Sequence, residues 1–144
     1  MLIRDSDYKL LSLMCRGYRG KGFRVGPGLR VLAERLGRAV VLADEELPGD
    51  VAALDSTLQL TELNSAIGFE CRIVLPSQVD LDKRYISVLS LIGATVVGER
   101  QGQSVAYRID DHLRLIRIDR VRQSRKAAQG DPDALADGLP SLRP

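Results

Sequence analysis

The chain has 144 residues, of which 44% are hydrophobic and only 4% are aromatic, so its core must consist mainly of Leu, Val and Ile. This length accommodates one ordinary domain, or a small domain with an appendage. No apolar run is long enough to cross a membrane, and the first residues lack the basic-then-apolar order of a signal peptide, so we expect a cytoplasmic protein.

The net charge of +2 conceals an uneven distribution along the chain. Residues 1–43 contain nine Lys and Arg against three acids, which gives +6, and the remaining residues therefore carry −4. A basic first third indicates contact with an acidic partner, either nucleic acid or an acidic protein surface. A solvated helix face is the alternative explanation.

The pattern of residues 1–43 predicts a short antiparallel helical hairpin. A first helix runs from Asp7 to about Arg16. A second helix starts near Pro27 and extends toward Leu42, unless Val40–Leu42 belong to a strand. The hairpin is predicted to bury apolar side chains of the two helices against each other: Leu10, Leu13 and Met14 against Leu29, Leu32 and Leu36.

The connection between these helices, residues 17–28, contains five glycines and one proline. Its basic residues Arg19, Lys21 and Arg24 are a candidate contact for nucleic acid or another acidic partner. A nucleotide site is not supported, because the Gly-Lys-Gly sequence lacks the Ser or Thr of a Walker motif and no strand precedes it. An ordinary helix–helix connection is the preferred interpretation.

An acidic segment with Pro-Gly, residues 44–50, marks a domain boundary, and alternating apolar residues follow it. Strands are predicted at 56–63, 69–75, 85–88, 104–109 and 113–121. The mixed phase of the last strand predicts a bulge or burial on both faces. The fold class is therefore α+β: a hairpin at 1–43, then an antiparallel sheet with one short helix at 50–122. The periodicity stops at Gln123, so residues 123–144 are predicted to be a disordered tail.

The segment Tyr85–Gly98 combines a short strand with a short helix. Ile86 and Val88 alternate with polar Ser87, which indicates a strand with one buried face. Ser90 stands at the N-cap position of the helix and Gly98 at its C-terminal stop.

The same segment resembles a known family. Ile86-Ser-Val-Leu-Ser-Leu-Ile-Gly93, followed by Gly98 and Gly102-Gln-Ser-Val105, is similar to the C-terminal domain of the bacterial GreA and GreB transcription factors. The similarity is closer still to their relatives of the Rnk type, known as regulators of nucleoside diphosphate kinase. Leu91 and Gln103 replace the proline and aspartate that are usual in the family.

This resemblance implies an FKBP-like C-terminal domain that binds RNA polymerase at the rim of its secondary channel. By position, the contact falls on Leu89, Ser90, Leu91 and Ile92. In Gre factors a long N-terminal coiled coil carries acidic residues into the channel and promotes RNA cleavage. Here the second helix is only about 24 Å long at 1.5 Å per residue, and the tip of the hairpin carries no acid. A regulator without cleavage activity, which competes with longer factors, is therefore expected.

No catalytic residue, cofactor or metal site is predicted. His112 stands beside two aspartates, but no Ser or Cys lies in a nucleophile motif and no second His completes a metal pattern. Asp80 and Asp82 lack further ligands at the spacing of a calcium loop. Cys15 and Cys71 are interpreted as small buried side chains rather than as a disulfide or a nucleophile.

The leading prediction is a non-enzymatic regulator of transcription that binds RNA polymerase, with a monomer favoured. The alternative is a nucleic-acid-binding module that uses the basic N-terminal hairpin. A prolyl isomerase would rest on fold analogy alone. Such an enzyme needs an aromatic pocket, and this chain has few aromatic residues to form one: two Phe, four Tyr and no Trp.

Overall fold

The computed structural model describes residues 1–21 and 26–124, which form three α-helices and seven strands. Arg24 and the predicted tail from residue 125 onward lie outside these ranges. The helices are α1 (Asp5–Gly17), α2 (Leu29–Leu36) and α3 (Leu91–Val96). The strands are β1 (Leu2–Arg4), β2 (Val40–Leu42), β3 (Thr57–Glu62), β4 (Ile67–Val74), β5 (Tyr85–Ser87), β6 (Ser104–Ile109) and β7 (His112–Arg122).

Five of the strands form the main sheet, in the order β5-β4-β3-β7-β6. This mixed architecture confirms the predicted α+β class. The sheet is antiparallel as predicted except for β4 and β5, which pair in parallel with Arg72 opposite Tyr85. The chain between them, which includes two short 3₁₀ turns at Pro76–Gln78 and Leu81–Lys83, crosses over and returns in the same direction.

Of the two alternatives predicted for the last strand, the bulge is present, and it lies in β7 opposite the middle of β3. Gln59 pairs with Arg120 whereas Leu60 pairs with Ile118, so Asp119 is an extra residue in β7. The bulge restores the phase of the strand and keeps apolar residues on the buried face on both sides of it.

The N-terminal hairpin and the sheet share one hydrophobic core. Leu58 and Ile118 of the sheet are fully buried in the same cluster as Leu11 of α1 and Leu32 of α2. Helix α3 contributes Val96 to this cluster. The two helices are therefore packed onto the rest of the fold.

The predicted buried face of α1 was wrong for Leu10 and Leu13, whereas Met14 packs against the core as predicted. Leu10 and Leu13 are 41% and 62% exposed, whereas Leu11 is fully buried. Asp7 and Leu11, which are four residues apart, share the inner side of the helix, where the carboxylate of Asp7 pairs with buried Arg4. The predicted burial of Leu32 and Leu36 in α2 is confirmed.

The second helix ends at Leu36, not near Leu42, and the alternative strand is present. Strand β2 pairs in parallel with β1, with Leu2 opposite Val40, in a separate two-stranded sheet. Gly37 follows the helix, and the β-branched Val40 and Val41 favour an extended backbone over a further helical turn. None of the described helices combines the length and the apolar character that crossing a membrane requires.

Candidate functional site

The turn between β5 and α3, residues 87–92, is held by its own serines. The Ser90 hydroxyl accepts a hydrogen bond from the Gly93 amide at 3.0 Å and donates one to the Ser87 carbonyl at 2.7 Å. The Ser87 hydroxyl accepts from the Leu89 amide at 2.9 Å. The predicted Ser90 N-cap is thus confirmed, and the turn has a defined conformation before any partner binds.

The four residues predicted to contact a partner differ in their exposure. Leu89 is fully buried, so its side chain belongs to the core and cannot form part of a contact surface. Ser90, Leu91 and Ile92 are partly exposed, and Ile92 also packs against the core. The accessible part of the predicted site is therefore Ser90, Leu91 and the outer portion of Ile92.

The loop before α2 packs directly against this turn. The Gly28 amide donates a hydrogen bond to the Leu89 carbonyl at 2.7 Å. A Cβ atom on Gly28 would lie 2.3 Å from the Ser90 carbonyl oxygen, and one on Gly26 would lie 2.5 Å from the Leu89 carbonyl oxygen. These glycines therefore permit a close backbone approach. The sequence interpretation treated them only as loop residues.

The opposite end of α3 is held by Arg35 of α2. Its Nη1 atom donates to the carbonyl oxygens of Ala94 and Val97, both at 2.7 Å, and its Nη2 atom pairs with the carboxylate of Glu99. Burial lowers the pKa of the Arg35 guanidinium from its ordinary value, and Glu99 acts in the opposite direction. A cation at the C-terminus of a helix satisfies free carbonyls and the helix dipole together.

A second buried arginine joins the N-terminus to the segment before β3. The Arg4 Nε atom lies 2.9 Å from Asp7 Oδ2, and its Nη2 atom donates to the Leu54 carbonyl at 3.2 Å. Asp7 in turn accepts from the Leu54 amide at 3.2 Å. Burial raises the pKa of the Asp7 carboxyl above its ordinary value, and the nearby Arg4 opposes this shift. Arg4 and Arg35 are thus internal supports rather than part of a basic surface.

The basic residues predicted to contact an acidic partner are only partly described. Arg19 and Lys21 are exposed on the turn after α1, and Arg24 lies outside the described residues. Arg19 also borders a cleft of about 920 Å³ between α1 and α2, together with Arg16 and Arg30.

The described residues contain no cluster of three or more His, Cys, Asp or Glu that could hold a metal ion. Burial raises the pKa of the Cys71 thiol to about 12 and also raises that of Cys15, which disfavours the reactive thiolate at both positions. The Asp80 carboxylate accepts from the amides of Asp82 and Lys83 and so closes a turn. His112 is exposed at the start of β7.

The fold and this turn define a small α+β domain in which a serine-capped helix is braced by an N-terminal helical hairpin. The family model of the transcription elongation factor GreA/GreB C-terminal domain matches residues 47–123. The chain belongs to this family, which confirms the resemblance noted in the sequence.

Individual relatives agree with this assignment. The chain is 22% identical over 123 residues to the regulator of nucleoside diphosphate kinase of Escherichia coli K12, covering 83% of this chain and 88% of that protein. The Shigella flexneri protein of the same name matches equally. A solved structure of a prokaryotic transcription elongation factor GreA/GreB from Nitrosomonas europaea superposes with a TM-score of 0.67 at 27% identity, over 85% of this chain and 98% of that one. The protein is thus a Gre-like transcription factor or a Rnk-like regulator.

Proposed function

We propose that the protein is a cytoplasmic, monomeric regulator of transcription that binds RNA polymerase near its secondary channel and has neither transcript-cleavage nor other catalytic activity. Membership of the GreA/GreB family and the solved Nitrosomonas europaea relative support polymerase as the partner. The contact is assigned to Ser90, Leu91 and the outer portion of Ile92.

The observation that carries this proposal is the braced turn with an apolar side chain at its surface. The Ser90 cap and the Gly28 amide fix the backbone on either side of Leu89, and Arg35 anchors the far end of α3. Leu91, the first residue of α3, is partly exposed and is not among the side chains packed on the core. A contact residue on a pre-ordered turn loses little conformational entropy when it binds.

The dimensions of the hairpin support the absence of cleavage activity. Helices α1 and α2 contain 13 and 8 residues, which at 1.5 Å per residue gives lengths of about 20 Å and 12 Å. The described residues next to the tip include the cations Arg19 and Lys21. Cations would repel a catalytic magnesium ion, whereas the acidic tip of a Gre factor holds one.

Capture of purified RNA polymerase by the immobilised protein tests the proposal. Leu91→Asp should lower capture at least tenfold, because a carboxylate would have to be desolvated in the contact. Leu81→Asp is the matched control, since Leu81 is 77% exposed and lies in a different turn, and it should leave capture unchanged. Equal capture by wild type and Leu91→Asp would contradict the proposed interface.

Two further variants separate binding from folding. Leu91→Pro restores the family residue at the first helical position, where proline is well tolerated, and should preserve or strengthen capture. Ile92→Asp should likewise lower capture at least tenfold, and its thermal unfolding must be measured because Ile92 packs on the core. A transcript-cleavage assay with the wild-type protein should show no stimulation above polymerase alone.

Binding of nucleic acid by the N-terminal hairpin is the competing function. The structure weakens it, because three of the basic residues that suggested it are internal or paired. Of the nine basic residues in the first third, Arg4 and Arg35 are internal, and Lys9 pairs with Asp5 at 2.9 Å. Charge reversal at Arg19 and Lys21 distinguishes the two functions. The proposed function predicts unchanged polymerase capture by this variant, whereas the competing function predicts that the variant no longer binds nucleic acid.

A further inference from the structure

The main sheet has one buried face and one open face. Leu58, Leu60 and Ile118 are fully buried on the inner face. The alternate residues, such as Gln59 of β3 and Arg120 of β7, are exposed on the opposite face. We call this opposite side the outer face; its residues follow from the strand register and from the period of two along each strand.

Arginines are concentrated on the outer face. Arg72 of β4 and Arg122 of β7 both lie opposite Thr57, on either side of it. Arg120 lies opposite Gln59 on the same face. The complete set of outer-face arginines is Arg72, Arg108, Arg117, Arg120 and Arg122.

Most of this positive charge is not neutralised. The acids on the outer face are Asp119, which pairs with Arg117 at 2.6 Å, and Glu70. Within the described part of the chain, none of the other four outer-face arginines forms an ion pair. Four arginines and one glutamate leave an excess of three positive charges on a chain whose total is only +2.

The arginines at one end of the face form a compact patch. Adjacent strands are about 4.8 Å apart, so Arg72 and Arg122, two strands apart, are separated by about 10 Å between Cα atoms. Arg120 and Arg122 are about 7 Å apart along one strand. Arg72 is held in place, since it donates to the Thr57 hydroxyl at 3.4 Å and its guanidinium lies 5.0 Å from the centre of the Tyr85 ring.

We propose that the outer face binds the phosphate backbone of nucleic acid without reading its sequence. Guanidinium groups pair with phosphate oxygens in a bidentate manner, and charge complementarity therefore favours this occupant. Within the patch, the side chains between Arg72, Arg120 and Arg122 are the polar Thr57 and Gln59. The exposed apolar side chains of the outer face, Leu113 and Leu115, lie at its other end beside Arg108, so the patch itself has no apolar anchor of the kind that dominates protein–protein contacts. This surface is separate from the turn assigned to polymerase.

Fluorescence anisotropy of a labelled 20-nucleotide strand, alone and as a duplex, tests this inference across a salt series. Arg120→Glu/Arg122→Glu should weaken binding at least tenfold at low salt. The slope of log K against log salt should fall by about 1.4 to 1.8 units, because each lost phosphate contact removes about 0.7 to 0.9. Arg120→Gln/Arg122→Gln should show a smaller loss in the same direction.

The matched control is Arg19→Glu/Lys21→Glu, which changes the net charge equally on the exposed N-terminal turn and should alter affinity less than threefold. Equal losses in the two pairs would overturn the inference, since net charge alone would then explain them. An absence of salt-dependent binding by the wild type would also overturn it.

A competition experiment tests the kind of partner. If poly-glutamate competes as well as a polynucleotide of equal charge, the inference is wrong and the face binds an acidic protein instead. Polymerase capture by Arg120→Glu/Arg122→Glu should stay at the wild-type level, which keeps this inference distinct from the proposed function.

Discussion

Arginine side chains of the N-terminal region and of the sheet have opposite surroundings. Arg4 and Arg35 are buried or half-buried. Each donates to one carboxylate and to backbone carbonyls, one for Arg4 and two for Arg35. Arg120 and Arg122 extend from a strand whose backbone groups are already paired, and they face solvent. A guanidinium can leave water only where acceptors satisfy its donors. The comparison teaches that a basic stretch of sequence does not by itself indicate a basic surface.

The largest effect is expected at Arg4. Arg4→Ala leaves the Asp7 carboxylate buried without its partner, and the free energy of unfolding should fall by about 3–5 kcal/mol. Urea unfolding of this variant and of the exposed Arg38→Ala measures the difference, and Arg38→Ala should change stability by less than about 0.5 kcal/mol. Similar small losses in both variants would show that Arg4 is no more structural than a surface arginine.

A smaller loss is expected at Arg35. Arg35→Met removes the donors to Ala94 and Val97 and leaves Glu99 unpaired, which should cost about 2–3 kcal/mol in the same urea experiment. Arg30→Met on the exposed side of α2 is the matched control and should be close to neutral. The comparison between internal and surface arginines fails if the two substitutions have the same cost.

Gly28→Ala tests how closely the hairpin approaches the turn. The added methyl group would meet the Ser90 carbonyl and the Ala94 side chain, and overpacking of this kind costs about 1–3 kcal/mol. Gly17→Ala, where no atom lies within 4 Å of the added Cβ, should be neutral or slightly stabilising. Amide chemical shifts of Ser90 and Gly93 should move in Gly28→Ala and stay in place in Gly17→Ala. Unchanged shifts in both variants would contradict the bracing of the turn.

The smallest effect concerns the pH dependence of the sheet. Hydrogen bonds from Thr61 and Arg117 lower the pKa of Asp119 below its ordinary value of 3.8. A carboxyl whose pKa is lowered in the folded protein stabilises the fold at pH values above its pKa in the unfolded chain. This stabilisation is lost as the pH falls through the pKa of the folded protein. Thermal unfolding between pH 5 and pH 2 should therefore decline less steeply in Asp119→Asn than in wild type. An identical decline would exclude this contribution.

The buried carboxyl of the N-terminal region should behave in the opposite way. The pKa of Asp7 is raised above 3.8 by burial, so its contribution to stability improves as the pH falls from its folded value toward 3.8. The two regions thus differ in the sign of their pH dependence as well as in the surroundings of their arginines.

Local sequence patterns gave correct predictions where the interactions that fix a structure join residues close together in the sequence. The Ser90 cap needs only the Gly93 amide three residues later, and the α3 helix follows from it. The mixed phase of the last strand predicted either a bulge or burial on both faces, and the register shift at Asp119 identifies the bulge. The buried face of α1 could not be read in the same way, because Leu10, Leu11 and Leu13 are equally apolar and only packing selects Leu11.

The sequence correctly predicted where the turn of the candidate site lies in the chain, but not which of its side chains are accessible. The turn at residues 87–92 was correctly placed between a strand and a short helix. The burial of Leu89 and the bracing by Gly28 were missed, since both depend on a loop about sixty residues earlier in the chain. A signal was present in the paired glycines Gly26 and Gly28, because glycine on both sides of a proline permits a close backbone approach.

The sequence by itself determined the α+β class, the short strands, the capped helix and the family, because period, capping and turn chemistry act between residues a few positions apart. Only the tertiary structure decided which arginines are internal and which face of the sheet is basic. The bonds responsible join Arg4 to Leu54 and Arg35 to Ala94, across 50 and 59 residues, and no local pattern specifies such partners. Buried polar groups need hydrogen-bond partners, and here those partners are distant in sequence and become neighbours only in the folded protein.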